Sequence, residues 1–160
     1  MQSIVERLRS IASSSTERRV KAREVAKLIQ EGHGYHWVGL YDVTSTEIVA
    51  IAWTGTQAPA FLRFPINRGL NGAAVASGRH VVVQDVTRDP RYLTTFGTTR
   101  AEAIFVVAST IDGRIIGTID VESDQPNAFT PEDEVFLASC AEALASLWTS
   151  PPNMRIGCEG

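Results

Sequence analysis

Over residues 3–30, apolar side chains recur every three or four positions. Ile4, Leu8 and Ile11 form one stripe and Val20, Val25, Leu28 and Ile29 a second, with arginines and lysines between. That spacing predicts amphipathic helix, interrupted at Ser13-Ser14-Ser15 and resumed with Thr16 as N-cap. The Gly32–Gly34 region closes it. The period then shortens to alternation. Trp37–Asp42 and Glu47–Trp53 predict strands about the turn Val43–Thr46, with Phe61–Ile66 a third and His80–Val83 a fourth. Gly69–Ser77 has the small residues of a short helix that approaches another backbone closely, and Asp85–Gly97 is a loop marked by Asp89-Pro90. A final helix opens at Thr130-Pro131-Glu132-Asp133, where Thr130 caps, Pro131 suits the first helical position and the acids complement the dipole. Phe136, Cys140, Leu144, Leu147 and Trp148 follow at helical spacing until Pro151-Pro152.

Between these lies AIFVVASTIDGRIIGTIDVES, two apolar runs (Ala103–Ile111 and Arg114–Glu122) joined by Asp112-Gly113. Asp-Gly in that setting predicts a two-residue type I′ hairpin. The register that follows sets Phe105 opposite Asp120 and Ala103 opposite Glu122. Ile116, Thr118, Asp120 and Glu122 then share one face, while Ile115, Gly117, Ile119 and Val121 share the other. Strict register pairs Glu102 with Ser123, on the apolar face. Alternation alone also allows Asp120 and Glu122 to face water on the open side of an antiparallel sheet.

The order of elements predicts an α+β fold, helices packed on one side of an antiparallel sheet. Residues 1–150 form a single domain and 151–160 a flexible tail. The chain has 160 residues, 44% hydrophobic and 21% charged, with a net charge of −3 and scattered arginines, which argues against a nucleic-acid partner. No apolar run is long enough for a membrane span, and the N-terminus has no signal-type segment. Two cysteines without a CxxC pair fit a cytoplasmic setting.

Several motifs taken together resemble a GAF domain. They are Trp37-Val38-Gly39-Leu40-Tyr41, Arg63-Phe64-Pro65-Ile66-Asn67-Arg68-Gly69-Leu70-Asn71-Gly72, Gln84-Asp85-Val86, Glu102 ahead of its strand, Ile116-Gly117-Thr118-Ile119-Asp120-Val121-Glu122-Ser123, and Phe129-x-x-x-Asp133-Glu134. More narrowly, the stretch from Trp37 to Glu134 is similar to the free methionine-(R)-sulfoxide reductases. The resemblance implies a GAF-type antiparallel sheet with the terminal helices on one face and a small-molecule pocket on the other, roofed by Gly55–Gly78 and Asp85–Gly97. It implies ligand contacts from Trp37 and Tyr41 at the sulfur end and from Glu102, Asp120 and Glu122 at the ammonium end. It also implies a bend before Ala103 that carries Glu102 to the other two acids, and a homodimer built through the terminal helices. From the residues alone, Trp37 and Tyr41 alternate about Gly39 on one strand face, where aromatics are more often core than ligand contacts.

The chain departs from the reductases in its chemistry. The family's three cysteine positions fall on Phe61, Asn71 and Thr95, none of them a thiol. A hydroxyl needs an activating base and offers no disulfide step. Cys140 lies in the apolar stripe of the last helix and Cys158 in the tail. The expectation is therefore no enzyme and no catalytic residue, but a binding module of the sensor or signalling type. Its pocket suits a small amine or free amino acid; the alternative is a diverged reductase-like enzyme. No cofactor or metal is expected: His33-Gly34-Tyr35-His36 reads as a local turn without a third ligand. Asn127 and Phe129-x-x-x-Asp133-Glu134 are explained by helix capping, since Ala128 stands where nucleotide-binding GAF domains carry a basic residue. Gly69–Gly72 lacks the Lys-Ser/Thr of a phosphate loop.

Overall fold

The computed structural model describes residues 1–94 and 96–149, so Thr95 and the tail 151–160, with Cys158, lie outside the described residues. Helix α1 (Ile4–Ser13) opens on a reciprocal cap, Ser3 Oγ accepting from the Glu6 N–H and the Glu6 carboxylate from the Ser3 N–H. It ends where the Ser13 and Ser14 hydroxyls donate to carbonyls of the preceding turn. Helix α2 (Arg18–His33) starts one residue later than predicted, with Glu17 rather than Thr16 as N-cap. The Glu17 carboxylate accepts from two N–H groups, those of Arg19 at 3.0 Å and Val20 at 3.2 Å, and adds negative charge at the positive helix end. Gly34, at φ 70°, closes α2.

Strands β1 (Trp37–Val43), β2 (Glu47–Trp53), β3 (Arg63–Pro65), β4 (Val81–Val83), β5 (Ala101–Ala108) and β6 (Ile115–Ser123) form one antiparallel sheet ordered β3-β2-β1-β6-β5-β4. Helix α3 (Gly69–Ser77) follows β3, a 3₁₀ turn (Val86–Arg88) sits in the predicted loop, and α4 (Pro131–Ala143) and α5 (Ala145–Trp148) finish the described chain. The stripes of α1, α2 and α4 pack on one sheet face, where Leu8, Val25, Ile29, Leu137 and Leu144 meet Val38, Phe105, Ile119 and Val121. Helix α3 covers the other face, Leu70 and Ala74 against Val83, Ile104 and Val106. Most apolar side chains of the terminal helices are thus consumed within the chain; Val20 and Val135 are exposed. Among the described residues, no helix is long and apolar enough to cross a membrane.

The hairpin departs from the predicted register. Glu102 pairs with Glu122, Ile104 with Asp120 and Phe105 with Ile119. Asp112-Gly113 does not make a two-residue turn: the Ser109 N–H donates to the Arg114 carbonyl, leaving a four-residue loop in which Gly113 alone has positive φ, 75°. A bulge leaves Ile116 unpaired between the Val107–Gly117 and Ala108–Ile115 pairs. Ile115 and Ile116 consequently exchange faces relative to the prediction, Ile116 joining the helical core and Ile115 the cluster under α3. No bend before Ala103 is needed to place Glu102 with the other acids, because the shifted register does it.

Candidate functional site

All five residues singled out from the sequence come to the sheet face that α3 covers. In the β1–β6 ladder, Trp37 stands opposite Glu122, Gly39 opposite Asp120 and Tyr41 opposite Thr118. In the β5–β6 ladder, Glu102 stands opposite Glu122. The alternation of β1 therefore lays an aromatic row beside an acidic row, and Trp37 and Tyr41 fall in one cluster with Ile48 and Phe96. The Trp37 ring meets Phe96 edge-on at 5.2 Å, and Tyr41 meets Phe64 at 6.0 Å. Gly39 makes this possible, since an added Cβ would overlap the far edge of the Trp37 ring and lie 2.8 Å from its Cζ3. Gly39→Ala is expected to swing the ring away and cost about 1–3 kcal/mol, measured as a lower urea midpoint.

A cavity of about 20 Å³ opens here, lined by Tyr41, Glu102 and Asp120 of the sheet and by Pro59, Phe61, Leu70 and Asn71 from the predicted roof. That is room for one water-sized group. Trp37 and Glu122 lie beside it rather than in its wall. Glu102, Asp120 and Glu122 are 4%, 2% and 0% exposed, and one oxygen from each lies within 4.8 Å of the others. No ion pair among the described residues reaches them. Two neutral side chains do: Asn71 Nδ2 donates to Asp120 Oδ2 at 3.4 Å, and Thr99 Oγ1 donates to Glu122 Oε1 at 2.8 Å. Thr118 Oγ1 donates to Asn71 Oδ1 at 2.6 Å and fixes that amide. The neighbouring Glu102 carboxyl apart, Asp120 Oδ1 and Glu122 Oε2 are buried without a hydrogen-bond partner among the described residues.

Burial pushes the Glu102 carboxyl well above the usual range, and the charges of Asp120 and Glu122 push it further. Glu122 is raised by burial and then by Asp120, against the Thr99 and Glu102 hydrogen bonds. Burial also raises Asp120, to about 6, against hydrogen bonds from Glu102 and Asn71. The Tyr41 hydroxyl is driven up by burial and by all three acids. Such a site favours positive charge and disfavours negative charge. Asn71 stands out in the sequence as a motif residue and a missing cysteine but not as a partner of the acids, and Thr99 carries no signal, since a Thr/Gly-rich loop offers many equivalent hydroxyls.

The remaining candidates lie elsewhere. His33 Nδ1 and the Tyr35 hydroxyl both reach Asp133 Oδ1, at 2.8 and 2.7 Å, joining the end of α2 to the start of α4. Burial raises the Asp133 carboxyl, but hydrogen bonds from the Thr130 backbone, Tyr35, His33 and the Thr130 hydroxyl hold it at about 2. His36 instead approaches Asp124 at 3.9 Å, so the two histidines do not form a joint site. Cys140 belongs to the helical core on the opposite side of the sheet, where burial pushes its thiol up to about 12.

The GAF domain family model matches residues 17–147. The chain is 28% identical over 109 residues to protein YtsP of Bacillus subtilis, an alignment covering 68% of this chain and 66% of YtsP. Among solved structures it is similar to the free methionine-R-sulfoxide reductase of Neisseria meningitidis in complex with its substrate, at 30% identity and a TM-score of 0.81 over 91% of this chain and 86% of that one. It also shares its fold with the GAF domain of a Coxiella burnetii phosphoenolpyruvate-protein phosphotransferase, at 16% identity and a TM-score of 0.81 over 98% and 95% of the two chains.

Proposed function

The chain belongs to the GAF domain family, and from that premise we propose that it is a non-catalytic binding module of the sensor type. Its ligand is a small amine or free amino acid held by its ammonium group. One observation carries the reading: three buried carboxylates that no ion pair among the described residues reaches lie beside Trp37 and Tyr41. An ammonium group donates charge-assisted hydrogen bonds to such oxygens and gains from a neighbouring ring face. The cavity accommodates a group of that size, and the rest of the ligand would extend past half-exposed Phe61.

The second reading, a diverged reductase, is favoured by the similarity to a reductase solved with its substrate. Against it, two of the three family cysteine positions are Phe61 and Asn71 in the cavity wall, and Cys140 lies across the sheet. A thermal-shift screen separates ligand classes. Methionine, its sulfoxide and simple apolar amines are expected to raise Tm by roughly 5–10 °C at about a hundredfold excess over Kd. Carboxylate-only analogues should give no shift, and Asp120→Asn with Glu122→Gln should abolish the response while the protein stays folded. A wild-type protein that ignores every amine, or a double variant that responds like wild type, would refute the reading. Turnover of free methionine sulfoxide with a thiol reductant, lost in Cys140→Ser or Cys158→Ser, would establish the enzyme instead.

A further inference from the structure

We propose that the groove between α2 and the open end of β2 binds an anionic amphiphile, a free carboxylate with an alkyl chain of medium length. The inference goes beyond the acid site and does not depend on what that site holds. The groove has a volume of about 570 Å³, within the range of small-molecule sites, and shares no lining residue with the acid cavity. Its origin is the shortness of the edge strand. Strand β3 pairs with Glu47, Ile48 and Val49, so the rest of β2 has a strand neighbour on the β1 side alone.

The floor is apolar, made by Ile51, Trp53 and Leu62. Leu62 is 52% exposed and Trp53 half-buried, so an alkyl chain laid across them would leave water and take their surfaces with it. An apolar floor alone names no occupant; the charges around it do. Arg19, Arg23 and Arg63 form the rim, and none of the described residues lining the groove is acidic, in a chain whose net charge is −3. Arg63 is already compensated by Glu47, whose carboxylate accepts from it at 2.7 and 3.0 Å. Arg19 and Arg23 take part in no ion pair among the described residues.

These two arginines are placed at a cost. They stand at i and i+4 on α2, side by side on one helix face, where like charges repel. Arg19 also lies in the first turn, where a cation opposes the positive end of the dipole. Arg18 beside it is offset by Asp42 at 2.6 Å, whereas the Glu17 carboxylate is directed at the Arg19 and Val20 N–H groups. Arg23 donates to the Trp53 and Gly55 carbonyls at 3.5 and 3.1 Å, which holds its guanidinium across the end of β2 and uses only part of its donor fork. A carboxylate between the two guanidiniums would relieve both the repulsion and the dipole conflict through charge-assisted hydrogen bonds. Its chain would then lie over Trp53 and Leu62. The occupant is anionic at one end and apolar along the rest.

The test titrates the full chain with decanoate, below its micelle-forming concentration, by calorimetry and tryptophan fluorescence. Decanoate is expected to bind at one equivalent and to change the emission of Trp53. Decanol, which lacks the charge, should bind roughly tenfold more weakly or not at all. Each buried methylene is worth about fourfold, so hexanoate should also be weaker by roughly tenfold or more. Short carboxylate analogues of methionine therefore stay silent in the amine screen. Raising salt from about 50 to about 500 mM should weaken decanoate several-fold, because Arg19 and Arg23 are exposed. Arg19→Gln with Arg23→Gln should weaken it roughly tenfold or more with far-UV circular dichroism retained, and Leu62→Glu should do the same from the apolar side. Trp53→Phe should keep the heat and lose the emission change. Asp120→Asn with Glu122→Gln should bind decanoate like wild type, which separates the groove from the acid site. No decanoate binding, equal binding of decanol, or arginine and Leu62 variants that bind like wild type would overturn the proposal. So would a synthetic acidic peptide or phosphatidylglycerol vesicles bound there in a way decanoate cannot displace, or Trp53 emission that follows a concentration-dependent doubling of mass. An amine response without a decanoate response would sink the groove and leave the amine reading standing. Decanoate binding without an amine response would support the groove and remove that reading.

Discussion

Between pH 5 and pH 8 the ligand-free protein is expected to become less stable, the reverse of a protein whose carboxylates are salt-bridged. Glu102, Asp120 and Glu122 are all raised above their unfolded values. Above about pH 4 the unfolded chain has released protons that the native cluster still holds, so rising pH favours unfolding until the native acids ionise. Carrying Asp120 from an unfolded value near 3.8 to about 6 corresponds to roughly 3 kcal/mol lost between about pH 4 and pH 6, about half of it above pH 5. Glu102 and Glu122 extend the decline to higher pH. The other shifted groups do not mimic it. Asp133, held at about 2, contributes fully above its unfolded value and loses that contribution only as pH falls through acid. His80 is lowered by burial, so its contribution is present above its unfolded value and lost as pH falls, the opposite slope. Urea midpoints across the pH series measure the effect. Asp120→Asn with Glu122→Gln should flatten the profile and exceed wild type at pH 8. A wild-type profile flat or rising from pH 5 to pH 8 would show that these acids are not held protonated by burial.

The acidic row was legible because β6 alternates cleanly from Thr118 to Glu122, and the aromatic row because Gly39 separates Trp37 from Tyr41. Their adjacency required the ladder, which alternation within one strand does not encode. The hairpin shows why. Ile111 looks like a strand residue, yet it is 90% exposed in the loop. Ser109 Oγ accepts from its N–H, and Asp112 Oδ1 accepts from the Arg114 N–H. These local side-chain bonds build a longer turn than Asp-Gly alone suggests, and one residue of slip decides whether Glu102 faces helices or acids. The bulge at Ile116 was equally silent, because two adjacent isoleucines satisfy either face. Helix starts were legible to within a residue at Glu17, where a carboxylate and the neighbouring hydroxyl both offer caps.

Gly117→Ala is expected to be the most damaging single methyl added to the sheet. Gly117 has no positive φ, so the backbone accepts alanine without strain. The obstacle is the Trp148 indole, which an added Cβ would overlap at Nε1 and approach to 2.7 Å at Cδ1. That ring is buried, and its Nε1 donates to the Tyr41 carbonyl at 3.0 Å, on β1 next to the irregular Leu40–Tyr41 step of the β1–β2 ladder. A rigid indole cannot yield by rotating its far end. It must leave its slot, giving up core packing and orphaning a buried carbonyl. Overpacking of about 1–3 kcal/mol and an unsatisfied acceptor of about 1–3 kcal/mol together suggest a loss near 3–4 kcal/mol. For a domain of this size that corresponds to roughly 8–15 °C in Tm. Gly113→Ala is the contrast: nothing lies within 4 Å of its Cβ position, but φ is 75°, so only about 1–2 kcal/mol of backbone strain is expected. A double-mutant cycle isolates the cause, since removing the ring with Trp148→Ala should make Gly117→Ala nearly neutral in that background. If Gly117→Ala costs as much without the indole as with it, the clash is not the source. Because Tyr41 presents its ring to the acidic site and its carbonyl to Trp148, the same variant should also weaken ligand response in the screen, linking the last described helix to the pocket through one strand residue.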